Sequence, residues 1–431
     1  MIRLRLAAAS CLVSAILLVP QPVPAATNDP LSSRLWGLQR IGAERAWSVS
    51  RGEGVIIAIV DTGVKLSHPD LKDKLLPGLN LARPGAPADD EHGHGTLIAG
   101  VSAAATNNGI GMASVAPDAK VLPLRVFNAQ GIATSGQVTR AIRWAVQTAE
   151  QRRSKLVLNL SFVGPPRRPD ATGRSGTLLG DRAVRRAITE ATDAGAVVVA
   201  ASGNEGLPQT SFDAPPDRGI LVMGAADKQD RCAPFTNYGA GLDLLAPGVD
   251  ILSTYWNRTP DQSVYAFADG SSLAVPFAAG TAALLMSTGL TNVEAVNRIL
   301  GTARGPAVSC RGEATSYKHL DVAAALGVPR PEGELSVSSG EKPSFLVPDS
   351  TTPEAGRPSS AAQGADPPMN SRSRRTGPAV AAERAAKVAE DNPFLTAGLA
   401  VAVVAVTLMF VFAFRRRASR QTDSDPGTPP G

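Results

Sequence analysis

Val55-Ile56-Ile57-Ala58-Ile59-Val60-Asp61-Thr62-Gly63 is an unbroken apolar run that ends on an acid and a turn. A strand with one face in water alternates apolar and polar residues, because successive side chains point to opposite faces. A strand buried on both faces loses that alternation, which is the condition of a parallel sheet covered by helices on either side. The run therefore predicts an interior strand of a parallel sheet over 55–60. Apolar runs at 120–126, 156–160, 196–201, 220–224 and 242–245 read the same way. Between them, 96–105, 137–149, 182–194 and 273–287 carry helical patterns. Strand and helix in alternation give the fold class: α/β, a doubly wound, mostly parallel sheet flanked by helices. In such sheets ligands and chemistry gather beyond the carboxyl ends of the strands, so the residues just past each run are the ones to examine.

The chain has 431 residues, 43 % of them hydrophobic, enough for one large globular domain with appendages. Its net charge of +5 is modest, and several positives sit together after a C-terminal apolar stretch, which argues against nucleic acid as a partner. Three cysteines occur, without the paired Cys/His spacing of a zinc site.

The ends read differently from the middle. Residues 1–26 open with Arg3 and Arg5, continue through an apolar run, and close on Val23-Pro24-Ala25-Ala26, the pattern of a signal peptide. A globular domain then runs over 27–330, followed by a Pro-, Ser- and Ala-rich linker over 331–391. That linker has too few aliphatic residues to offset the entropy of ordering and is expected to form a flexible stalk. Residues 392–414 carry no charge; as a helix their 23 residues make roughly 34 Å, which matches a bilayer core of about 30 Å. Arg415, Arg416, Arg417 and Arg420 follow, so the short tail over 415–431 is expected on the cytoplasmic side and the large domain outside. Export leaves Cys232 and Cys310 as the remaining thiols, which suggests a disulfide if their Cα atoms come within bonding range.

Four short motifs carry candidate chemistry. Asp61 stands directly after the first strand; a carboxylate there can bind a ligand, close an Asp-x-Gly turn or orient a base. His94 lies in His92-Gly93-His94-Gly95-Thr96, at the start of an apolar helix, and reads as a general base or a structural histidine. A metal pair with His92 lacks a third ligand nearby, and HExxH is absent. Asn204, in Ser202-Gly203-Asn204-Glu205-Gly206, can donate its amide into the same cleft or simply close a turn. Ser272, in Gly270-Ser271-Ser272-Leu273-Ala274-Val275-Pro276, is either an N-cap or a nucleophile beside backbone N–H groups and a positive helix end. Pro276 is expected in the first turn of that helix, where a missing N–H costs nothing.

Taken together, these motifs resemble the signatures of the subtilisin-like serine proteases, the subtilases of peptidase family S8. Asp-x-Gly, His-Gly-Thr-x-x-Ala-Gly, Gly-Asn and Gly-Thr-Ser-x-Ala-x-Pro map onto Asp61, His94, Asn204 and Ser272, and Trp36-Gly37-Leu38 with Ile41-Gly42-Ala43 is similar to the mature start of those enzymes. The order Asp, His, Ser along the chain is also that of the family. The resemblance covers about residues 36–326 and implies hydrolysis of protein or peptide substrates: Ser272 as nucleophile, His94 as base, Asp61 as its orienter, Asn204 as oxyanion donor. It further implies that Ser161, Phe162 and Val163, with Gly203, line the substrate site; Val163 stands where a glycine is common. Ser271 replaces the usual Thr and Leu273 the usual Met, and 164–180 is an additional Pro-, Gly- and Arg-rich loop that either shapes access or is a solvated surface loop.

A structural calcium ion is a second implication. Thr106-Asn107-Asn108-Gly109-Ile110-Gly111-Met112 resembles the family's calcium loop. Carbonyls of Thr106, Ile110 and Met112, the Asn108 side chain and the Asp70 carboxylate would supply the oxygens a hard cation takes. No catalytic cofactor is expected. No long pro-domain fits between Ala26 and Trp36, and the layout of signal peptide, domain, stalk, membrane helix and basic tail is similar to the mycosins. These are membrane-anchored subtilases linked to bacterial type VII secretion, which adds the membrane and secretion-complex proteins as expected partners. The alternative of another class is a catalytically idle fold serving as a structural partner in such a complex.

Overall fold

The computed structural model describes residues 27–162, 178–208, 220–258 and 261–329, with the backbone of Phe345–Leu346. The predicted signal peptide, stalk, membrane span 392–414 and tail lie outside these residues, apart from that dipeptide, as do Val163 and most of the 164–180 loop. Among the described residues no helix is long and apolar enough to cross a membrane.

In chain order the elements are α1 (Trp36–Ile41), α2 (Ala43–Ala46), β1 (Val55–Asp61), β2 (Leu79–Asn80), α3 (His94–Ala103), β3 (Lys120–Arg125), α4 (Ser135–Arg152) and β4 (Lys155–Leu160). There follow α5 (Arg182–Asp193), β5 (Val197–Ala201), β6 (Ile220–Ala226), β7 (Leu244–Pro247), β8 (Ile251–Arg258), β9 (Asp261–Ala268), α6 (Ser271–Ser287) and α7 (Asn292–Gly301). β10 (Arg304–Ser309), β11 (Ser316–His319), α8 (Val322–Ala325) and β12 (Phe345–Leu346) complete the series.

Nine strands form one sheet in the order β10-β11-β7-β6-β5-β4-β1-β3-β2. Every pairing in it is parallel except that of β10 with β11. β1 lies between β3 and β4, and its residues alternate between two cores. Val55, Ile57 and Ile59 pack on one side with α3 and α6, while Ile56, Ala58 and Val60 pack on the other with α4 and α5. This two-sided burial is why the run shows no polar alternation. β5 divides likewise, Val197 and Val199 to one core, Val198 and Ala200 to the other.

Helix α6 is buried along almost its whole length, from Ser271 to Met286. A helix apolar all round belongs inside a domain, and this one carries Ser272 into the interior at its N-terminus. Its first residue is Ser271, so Pro276 is the sixth residue and not in the first turn, which corrects the sequence expectation. No element is predicted over 251–268, where β8 and β9 form an antiparallel hairpin extended by β12 into a separate three-stranded sheet. Cys232 and Cys310 are joined in a disulfide with Cα atoms 5.3 Å apart, tying the segment after β6 to the turn after β10.

Candidate active site

Asp61 is the last residue of β1 and His94 the first of α3, and the two elements are brought together by a close backbone approach. A Cβ at Gly95 would stand 2.0 Å from the Gly63 carbonyl oxygen and 3.1 Å from the Asp61 Cβ, so only glycine permits the contact. The Gly95 N–H donates to Thr62 Oγ1 at 2.9 Å, and the Lys65 N–H donates to Thr96 Oγ1 at 2.9 Å, which clamps the turn after β1 to the first turn of α3.

Within that clamp the His94 Nδ1 lies 2.8 and 2.9 Å from the two Asp61 carboxylate oxygens, and its Nε2 lies 3.0 Å from Ser272 Oγ. An ionised carboxylate only accepts, so Nδ1 carries the hydrogen and the neutral ring presents Nε2 as acceptor to the serine hydroxyl. Asp61 is 1 % exposed and also accepts the Thr62 N–H at 2.7 Å. Burial works against charge on His94, but the Asp61 charge and hydrogen bond, aided by Asp90, outweigh it and raise the imidazole above its ordinary pKa of 6.5.

Asn204 follows β5, and its side chain is oriented by Ser271. The Ser271 N–H and hydroxyl both donate to Asn204 Oδ1 at 2.8 Å, and Ser271 Oγ accepts the Gly203 N–H at 3.0 Å. These bonds hold the amide by its oxygen and leave Nδ2 out of them. A Cβ on Gly270 would lie 2.9 Å from Ser272 Oγ and 3.4 Å from Asn204 Nδ2, so the hydroxyl and the amide nitrogen flank the same backbone position.

Ser161 is 3 % exposed and its hydroxyl donates to the Ser272 carbonyl at 2.9 Å while accepting from Asn159 Nδ2 at 2.8 Å. The Phe162 ring meets Phe127 edge-on, centroids 5.1 Å apart. Ser161, Phe162 and Gly203 line the same cleft as Asp61, His94, Asn204 and Ser272. Of the predicted substrate-site residues, Val163 lies outside the described residues. Residue types at motif positions do not reveal three further participants: Asn159, Thr62 and Asp90. The last is a buried carboxylate four positions before His94; an acid ahead of a helix start is its only local signal.

The predicted metal residues converge on one loop. Asp70 is fully buried and accepts from Asn108 Nδ2 at 2.9 Å, the Met112 N–H at 2.9 Å and the Tyr265 hydroxyl at 2.8 Å. Burial raises the Asp70 carboxyl above the usual range, these three donors work to lower it, and the nearby Asp29 raises it further. Asp29, itself buried, accepts the N–H groups of Asn107 and Asn108 at 2.9 and 3.1 Å. Asn108 Oδ1 accepts the Ile110 N–H, and the Thr106 hydroxyl donates to the Ala104 carbonyl. Among the described residues no group of three or more His, Cys, Asp or Glu is placed to hold a metal. The set nevertheless fits a hard cation in one respect: two buried carboxylates lie near one another with hydrogen-bond partners that are all neutral, a charge an ion would relieve.

Comparison with known proteins gives the family and the fold. The peptidase domain of the subtilase family matches residues 52–333. The chain is 36 % identical over 299 residues to thermitase of Thermoactinomyces vulgaris, a match covering 68 % of this chain and 98 % of that protein. It is also 36 % identical over 269 residues to a thermophilic serine proteinase of a Bacillus strain, covering 62 % of this chain and 61 % of that relative's length. Among solved structures, a protease from Pseudoalteromonas arctica superposes with a TM-score of 0.60 at 27 % identity, over 70 % of this chain and 99 % of that one. A two-sided parallel sheet carrying Asp61, His94, Asn204 and Ser272 at its rim, and sequence kinship across nearly all of thermitase, make this chain a member of the subtilase family.

Proposed function

We propose that this chain is a serine endopeptidase that cleaves peptide bonds by acyl transfer at Ser272. The observation that carries the reading is the line Asp61–His94–Ser272, with hydrogen-bond distances of 2.8, 2.9 and 3.0 Å. Ser272 Oγ attacks the scissile carbonyl carbon as His94 Nε2 takes its proton. The negative oxygen that forms sits between Asn204 Nδ2 and the α6 N-terminus, where fixed dipoles stabilise it without reorganisation. His94 then gives its proton to the leaving amine as the C–N bond breaks. Water repeats the sequence on the acyl ester and releases the acid. Asp61 holds the ring in one tautomer and stabilises its charged form throughout. Ser161, Phe162 and Gly203 line the substrate site, and the Ser161 hydroxyl also holds the Ser272 backbone in place.

The same proposal places the catalytic domain at the outer face of a membrane, on the sequence of 392–414 and the arginines that follow. A fluorophosphonate probe applied to fractionated cells tests both parts. Labelling of the wild-type chain in the membrane fraction, absent from Ser272→Ala, is the expected result. Wild type unlabelled above that control would leave an idle subtilase fold acting as a structural partner, whereas labelling confined to the soluble fraction would remove the anchor and keep the peptidase.

A calcium ion would be held by Asp70, Asn108 and the carbonyls of Thr106, Ile110 and Met112, with Asp29 adjacent, and would serve stability only. Binding to the folded state raises the melting temperature by mass action. A chelator is therefore expected to lower Tm and added calcium to restore it. Identical melts with and without chelator would sink the assignment.

A further inference from the structure

Asp90 lies outside the proposed catalytic line yet is 1 % exposed and carries four hydrogen bonds, all to the segment that presents His94. Its Oδ1 accepts the N–H groups of His92 and Gly93, each at 2.8 Å. Its Oδ2 accepts the Thr96 N–H at 3.0 Å and the Thr96 hydroxyl at 2.6 Å. α3 has no side-chain cap from Gly93, the residue before it. A helix start leaves orphan N–H groups that need partners and favours negative charge beside them, and Asp90 supplies both from outside the helix.

The Thr96 hydroxyl, fully buried, donates to Asp90 and accepts the Lys65 N–H at 2.9 Å. A continuous path thus runs from Asp90 through Thr96 to the turn that follows Asp61, so one carboxylate sets the first turn of α3 against the end of β1. The ring of His94 must meet a carboxylate on one element and a hydroxyl on another, and its backbone origin is the point where this frame is fastened.

We propose that Asp90 is a positioning residue for the peptidase reaction: it fastens the start of α3 so that His94 stays in line between Asp61 and Ser272, and its buried charge adds to that of Asp61 in stabilising the imidazolium. The direction of the His94 shift, to which Asp90 contributes after Asp61, agrees with this. The other ionisable groups around His94 are Asp61 on β1 and the His92 ring, 6.5 Å away. Those around Asp90 are Asp89, Glu91 and the buried Arg125, which donates to the Asp89 carbonyl at 2.9 Å and to Glu91 at 2.8 Å. Arg125 is thereby committed to its neighbours, and Asp90's hydrogen bonds all lead to α3 and the turn before it.

This inference rests on the peptidase reading, and the test separates the two. In the Ser272→Ala chain, NMR titration of the His94 ring is compared with and without Asp90→Asn, which needs no turnover. In the active chain the same substitution is expected to lower kcat by roughly ten- to a hundredfold with little change in KM, as misalignment of a reacting group does. The acid limb of kcat/KM should move to lower pH together with the NMR titration. Thr96→Val keeps the charge and removes the hydroxyl bridge; it should lower kcat and leave the acid limb in place. A folded Asp90→Asn chain with an unmoved His94 titration overturns the proposal, and so does a loss of kcat without that movement, which marks a merely structural role. If Asp90→Asn does not fold, Thr96→Val with wild-type kcat overturns it instead. A wild-type chain without turnover whose His94 titration still responds to Asp90→Asn would defeat the peptidase reading and with it the role in that reaction, leaving only the hold of Asp90 on the His94 ring.

Discussion

Pro276 has no N–H to return to the carbonyl four residues before it, and that carbonyl belongs to Ser272. The oxygen left free accepts the Ser161 hydroxyl at 2.9 Å, so a proline within a buried helix opens a backbone acceptor where the proposed nucleophile is held. The helix defect and the Ser161 contact are two sides of one arrangement. His94 shows a second kind of residue-level coupling. A base works only while neutral, and Asp61 raises the ring's pKa, so activity should fall as pH drops through a value above the ordinary 6.5. Asp61→Asn removes the charge and the correct acceptor together. It should lower kcat/KM by about 10⁴, as loss of the same group does in the Ser-His-Asp template, and move the acid limb to lower pH. A pH–rate profile of the purified variant checks both; an unmoved limb would show that Asp61 does not set the ring's proton affinity. For folding the sign is opposite: the His94–Asp61 pair stabilises most below the unfolded pKa, and its contribution is lost as pH rises through the folded value.

At the scale of elements, Asp230 joins parts of the chain that no sheet pairing connects. It sits in the turn after β6 and receives two guanidinium groups. Arg40 of α1 donates to its carboxylate at 3.0 and 2.5 Å, and Arg304 of β10 donates at 2.6 and 2.9 Å. His319 of β11 donates through Nε2 to the Asp230 carbonyl at 3.0 Å. Burial opposes ionisation of Asp230, but the two arginines prevail and hold its carboxyl well below the ordinary 3.8. Its stabilising contribution is therefore full above about pH 4 and fades only as pH falls toward the depressed folded value. Asp230→Ala removes the carboxylate shared by two largely buried cations, and breaking such a pair costs about 3–5 kcal/mol. Denaturant melts at pH 7 should show that loss, with probe labelling of Ser272 retained below the new midpoint. A loss under about 1 kcal/mol would mean the arginines find water or other partners. The β8–β9 hairpin has a different logic. Ser253 and Thr254 interrupt its apolar run because their hydroxyls donate to the α3 carbonyls of Leu97 and Thr96 at 2.6 and 2.8 Å. Residues chosen to serve a neighbouring helix give no strand periodicity, which is why 251–268 is not legible as strand from sequence.

For the whole molecule, the Cys232–Cys310 disulfide spans 78 positions and fastens the β10–β11 edge of the sheet to the loop after β6. Closing a loop of that length in the unfolded chain is where most of its effect lies, and loss of a native bridge costs about 2–5 kcal/mol. The double variant Cys232→Ser/Cys310→Ser should lose that much in urea melts, with reductant destabilising wild type equally and the variant not at all. A variant as stable as wild type would make the bridge incidental. The chain by itself determined the buried parallel sheet, because two-sided burial is written in consecutive residues such as Val55 to Val60. It also marked an acid, an imidazole, an amide and a hydroxyl in short local motifs, and the joint resemblance of those motifs to the subtilase signatures singled them out. The tertiary structure alone decided that Asp90 and Thr96 frame His94, that Ser161 meets the Ser272 carbonyl, that Arg40 and Arg304 share Asp230, and that the two cysteines pair. Each of those contacts except the first joins residues tens to hundreds of positions apart. Their meeting depends on the order of strands across the sheet, and no periodicity within one segment encodes its neighbour. The Asp90 contacts are short in sequence but depend on a turn whose shape is set by the elements it joins.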